Sequence, residues 1–132
     1  MSFSDRVLGF GAFPNREVAA TAIDIDQSLM FNGADGAYLH RTPGSAGNRR
    51  TFTWSAWIKR SHLGAQGILS ADHDATNWME LQFSSVDKLW LYFQNANDGS
   101  VLTAAQFRDT AAWYHIVVAV DTTQGTASNR VK

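Results

Sequence analysis

From Ser28 onward, apolar and polar residues alternate with a period of two, the spacing at which side chains leave a strand on opposite faces. The clearest case is 51–60, TFTWSAWIKR, where Phe52, Trp54, Ala56 and Ile58 share one side and Thr51, Thr53, Ser55, Trp57 and Lys59 the other. Further strands are predicted at 28–31, 37–41, 67–71, 78–83, 88–94, 101–107 and 113–120. Trp78, Glu80 and Gln82 oppose Met79, Leu81 and Phe83, while Leu89, Leu91 and Phe93 oppose Trp90 and Tyr92. Trp54 and Trp113 are expected in the core. Turn residues separate the strands; Asn32-Gly33 and Asp35-Gly36 supply the positive φ angles of a tight turn, predicting a hairpin from 28–31 and 37–41. The best helical candidate, 103–110, is short and carries Thr and Asp against it. About eight strands at roughly 10–15-residue spacing predict an all-β fold, an antiparallel sandwich or barrel.

Both ends of the chain break this pattern. Residues 1–25 contain the breakers Gly9, Gly11 and Pro14, with isolated large apolar residues at Phe3, Leu8, Phe10 and Phe13. Neither period holds there, so the segment cannot build a core of its own, yet it is apolar for a solvated tail. Two readings stand: a leader or strand-like wrap along the domain, or an arm that orders against a partner protein through those four residues. The predicted organisation is thus an extended arm, 1–25, followed by a sandwich over 26–132. Arg130-Val131-Lys132 reads as the opening of a further strand, so the sandwich is expected to be incomplete at its C-terminus and the chain a fragment.

Composition narrows the function classes. Five Trp, eight Phe and three Tyr in 132 residues give the large apolar area that two packed sheets need. The net charge of −1 is not concentrated in any basic patch, which argues against nucleic acid as a partner. Without cysteine there are no disulfides, thiolate metal sites or Cys nucleophiles. The first residues lack the apolar core of a signal peptide, and no stretch approaches the ~20 apolar residues of a membrane span.

Three segments carry a family resemblance. Gln27–Gly33 with Ala37-Tyr38-Leu39 resembles the "S-L-x-F-N-G … a-Y-L" opening of laminin-G-like and concanavalin A-like jelly-roll domains. Thr51–Lys59 resembles their "F-T-x-S-x-W-x-K" strand, and 112–121 their "W-x-H-v-a-v-x-x-D" strand. The runs 38–50, 61–67 and 113–132 are similar to laminin-G-like proteins of tailed phages, cyanophages especially. That resemblance implies a virion protein, made in the host cytoplasm and localised to the particle. It implies a tail fibre or fibre-like component serving assembly or host attachment, with other virion proteins as partners. By analogy with fibres, it also implies a homo-oligomer, specifically a trimer. A glycan-binding lectin module and a capsid decoration protein are the alternatives.

Candidate chemistry is sparse. Glucanases of this fold place catalytic carboxylates as E-x-D-x-x-E along one strand, facing a sugar. Here the glutamates are Glu17 and Glu80, and Glu80 has no alternating carboxylate on its strand, so no catalytic residue is assigned and an enzyme is not expected. There is no G-x-S-x-G elbow. His115 is expected to be a satisfied sheet-face histidine rather than a ligand. No cofactor is expected; Asp72 and Asp74 are weak candidates for calcium, because loop carboxylates suit this hard ion but are also common turn formers. Trp57, Trp78, Trp90 and Tyr92 each lie opposite a core-facing set, and are candidates for a glycan or subunit contact.

Overall fold

The computed structural model describes residues 28–94 and 99–132. The arm over 1–25, with Phe3, Leu8, Phe10 and Phe13, lies outside the described residues. The chain divides into two units, one ending at Thr42 and the other running Pro43–Lys132.

In the first unit the predicted turn forms and the predicted hairpin does not. Asn32 caps a short 3-10 turn, Gly33–Asp35, its Oδ1 accepting from the Ala34 amide at 3.2 Å. Gly36 follows in the left-handed region at φ 58°. Residues 28–31 and 37–41 are not strands, and Met30 and Tyr38 are 92% and 78% exposed. Turn chemistry is satisfied locally, whereas two strands alone bury too little to persist as a ribbon.

Among the described residues, the second unit contains six strands: β1 (Thr51–Lys59), β2 (Gln66–Asp74), β3 (Asn77–Phe83), β4 (Leu89–Gln94), β5 (Gly99–Leu102) and β6 (Trp113–Asp121). β2-β3-β4-β5 form an antiparallel meander, and β1 pairs with β6 in a second antiparallel sheet. Alternation decides which side each sheet buries. Leu81, Phe83 and Leu91 from the meander meet Ile116, Val118 and Val120 from β6, with Phe52, Trp54, Ile58, Leu89 and Tyr114 packed around them. β2 carries two register shifts, a common way for an edge strand to twist out of a clean pairing template. Arg130–Lys132 does run beside β6, with Ala119 and Lys132 exchanging amide-to-carbonyl hydrogen bonds of 2.8 and 2.9 Å.

Two strand expectations need correction. β5 ends at Leu102 rather than running to Phe107. The Thr103 hydroxyl accepts from the Leu89 amide and donates to the Ala105 carbonyl, turning the chain so that Phe107 packs against Phe83 and Tyr114. Trp113 is not core but 52% exposed. It shares parity with His115 and Val117 on the outer side of β6, and large aromatic size does not override the pleat.

A buried guanidinium ties three connections together. Arg60, just past β1, has a side chain with 0% exposure. Its Nε donates to Gln66 Oε1 at 2.8 Å, Nη1 to the Phe107 carbonyl at 2.6 Å, and Nη2 to the Gly64 carbonyl at 2.7 Å and Asp87 Oδ1 at 3.0 Å. Its charge also lies 4.3 Å from the Phe83 ring centroid, within cation–π range. Asp87 occupies the β3–β4 turn at φ 62°, a conformation Asp tolerates better than most residues. The Gly64 amide first, then Arg60 and Arg108, hold its carboxyl below the usual carboxylate range against partial desolvation. One side chain thereby fixes the β1–β2 loop, the β3–β4 turn and the β5–β6 loop at the same end of the meander.

Candidate functional site

Strand register places the candidate aromatics on two different sheets. Tyr92 stands directly opposite Glu80, Gln82 opposite Trp90, and Trp78 opposite Gln94 on the meander's outer face. On the flanks, Ser70 and Asp72 of β2 oppose Glu80 and Trp78, while Ser100 and Leu102 of β5 oppose Tyr92 and Trp90. Tyr92 bridges the two indoles, its ring centroid 5.1 Å from that of Trp78 and 5.3 Å from that of Trp90. All three rings are half-buried, so each keeps part of its surface open to solvent. The result is a diagonal aromatic row across β3 and β4, edged by a carboxylate, amides and hydroxyls. At one end Ser70, Asp72, Asp74, Ala75, Trp78 and Glu80 line an open depression of about 540 Å³.

Trp57 belongs elsewhere. It lies on the outer side of β1, 54% exposed, and stacks on His115 at 4.8 Å with an interplanar angle of 19°. His115 Nε2 is 3.0 Å from Ser55 Oγ, so this histidine has both a ring and a hydroxyl partner on the sheet face. Trp57, Trp113 and Val117 are large apolar residues on that side, each about half exposed.

The two aspartates proposed for calcium have different surroundings. Asp74 is committed to the β2–β3 turn: its Oδ1 accepts from the Thr76 amide and hydroxyl and from Asn77 Nδ2 at 2.8–2.9 Å. These bonds, Asn77's foremost, lower its pKa to about 2. Asp72 points out on the meander beside Trp78 and is exposed. Among the described residues, no group of three or more His, Cys, Asp or Glu side chains is placed to hold a metal ion.

Sequence reading missed two features of this face. Asp72 lies diagonally across from Glu80 on the neighbouring strand, an adjacency set by β2–β3 register and therefore invisible to a search along one strand. Arg60, which fixes the turns at the far end of the face, stands in sequence only as the last residue of the predicted strand 51–60.

Two antiparallel sheets closed over one apolar core, with an aromatic row on the outside of one of them, define an all-β sandwich of the lectin type. The family model for the concanavalin A-like lectin/glucanases superfamily matches residues 31–128, and the chain belongs to that family. No curated protein and no solved structure matches the chain.

Proposed function

We propose that this protein is a non-catalytic attachment module that binds polysaccharide over the row Trp78–Tyr92–Trp90, as part of a virion fibre or fibre-like component. The observation that carries the binding reading is the row itself: three half-open rings, each in contact with the next, with Glu80, Gln82, Ser70 and Gln94 as polar neighbours. Aromatic faces take the C–H side of a pyranose, and the surrounding polar groups fix its orientation. The fibre setting rests on the likeness of 38–50, 61–67 and 113–132 to phage-encoded laminin-G-like proteins. Trimerisation belongs to that setting, and the apolar side bearing Trp57, Trp113 and Val117 suits a subunit contact better than a sugar.

The non-catalytic reading is supported by the form of the site. Glu80 and Asp72 lie in an open depression, with Asp72 exposed, rather than in a cleft that closes over a sugar and expels water. Affinity electrophoresis through gels carrying polysaccharides of different backbones tests the proposal. Trp90→Ala is expected to weaken binding about 30-fold, the ~2 kcal/mol of an interface hot spot, and Trp57→Ala to leave it unchanged. Equal loss in both variants, no retardation by any polysaccharide, or release of new reducing ends would each refute it.

A further inference from the structure

Glu80 occupies the middle of the aromatic face. Trp78 and Gln82 flank it on β3, Tyr92 opposes it on β4 and Ser70 on β2. Gly67 has no side chain to cover it from the β2 side; a Cβ there would come within 3.5 Å of Glu80 Oε1. Glu80 is half-buried, yet among the described residues it accepts no hydrogen bond and forms no ion pair. The other charged groups on this face are Asp72, diagonal to it, Asp74, which lines the same depression, and Lys88 at the opposite end. Lys88 faces Ser84 across the β3–β4 turn. Four positions separate Glu80 from Ser84, about 13 Å of strand.

A carboxylate is an acceptor only, with room for several donors. With no donor supplied by its neighbours, it is suited to the hydroxyl pairs of a sugar ring lying on Trp78 and Tyr92. The same group repels a ligand that brings its own carboxylate, sulfate or phosphate into a partly desolvated site, and Lys88 is too far along the strand to offset that. We infer that Glu80 is a specificity-determining residue: the aromatic face takes neutral, hydroxyl-rich polysaccharide and rejects acidic polysaccharide. This rests on the polysaccharide-binding reading above and adds the ligand class.

Matched polymers test it: several neutral glucans and mannans, each beside its carboxymethylated derivative, run in affinity gels against the full chain. The wild-type protein is expected to bind each retained neutral polymer at least tenfold more tightly than its acidic partner. Raising the salt concentration should narrow that gap, because charge repulsion is screened. Glu80→Gln should at least halve the discrimination while still binding the neutral polymer, and Asp35→Asn, which makes the same change in net charge outside the sheets, should not. Equal or tighter binding of the acidic polymers by wild type, a salt-independent gap, or full discrimination in a folded Glu80→Gln protein would overturn the inference while leaving polysaccharide binding intact. Failure to bind any polymer would remove both.

Discussion

Replacing Arg60 is expected to be the most damaging single change outside the apolar core. Arg60→Met keeps the length and apolar stem of the side chain but removes all four donated hydrogen bonds. The carbonyls of Gly64 and Phe107 and the amide oxygen of Gln66 lose their guanidinium donor, while the fourth acceptor, Asp87, keeps the Gly64 amide and Arg108. An acceptor orphaned in the interior costs about 1–3 kcal/mol, and these partly buried ones belong at the low end, giving a loss of ~3 kcal/mol. The unit Pro43–Lys132 spans 90 residues, for which ordinary stability is about 5–13 kcal/mol, so the loss is a large fraction of the whole. At about 4–8 °C per kcal/mol for a domain of this size, the midpoint should drop by about 12–24 °C in calorimetry. Arg60→Lys should recover less than half of it, since an ammonium cannot reach acceptors lying in three directions. A drop below about 4 °C for the Met variant would mean that water already serves these carbonyls and that the three connections are held by something else.

Acid should unfold the protein through its turn carboxylates. Asp74, Asp87 and Asp121 are all held below the ordinary carboxylate range, Asp74 at about 2 by Asn77 and Thr76, Asp121 by Thr123 and Gln124. A depressed folded-state pKa contributes stability above the unfolded value of about 3.9 and loses it as pH falls through the folded value. The urea midpoint should therefore be insensitive to these groups above about pH 5 and decline between about pH 4 and 2; a decline beginning near pH 6 would contradict it. Trp54→Ala should cost about 3–5 kcal/mol and Trp113→Ala well under 1, measured by urea denaturation, because the first packs against the core and the second stands half in solvent.

What the chain revealed in advance follows from the range of each effect. The pleat is a nearest-neighbour property, so the inward sets of β1, β3 and β4 could be read directly from Phe52, Trp54 and Ile58 and from Leu81, Phe83 and Leu91. Trp78, Trp90 and Tyr92 could be recognised as outward by the same rule. Their union into one row, with Trp57 excluded from it, depends on strand order, and β1 pairs with β6 across the whole intervening meander. Asp72 beside Glu80 depends on a register interrupted by irregularities in β2. The Arg60 clamp joins Gln66, Asp87 and Phe107, residues that only the finished fold makes neighbours. Trp113, expected in the core, follows the alternation instead: it shares parity with His115 and Val117 and is half exposed. The strands expected over 28–31 and 37–41 show the converse, a correct turn whose flanking pattern had no sheet to complete it.

The pairing of β1 with β6 also sets a timetable for synthesis. Ala56 and Ile116 are register partners 60 positions apart, whereas the meander's strands pair with their immediate successors. At about 5–20 residues per second, a ribosome leaves the newly made Phe52–Ile58 stretch without its mate for about 3–12 s. Closing so distant a contact is slow compared with zipping a hairpin. The meander can therefore assemble while the first strand is still waiting, and its apolar side offers that strand a surface to rest on until the second sheet is complete.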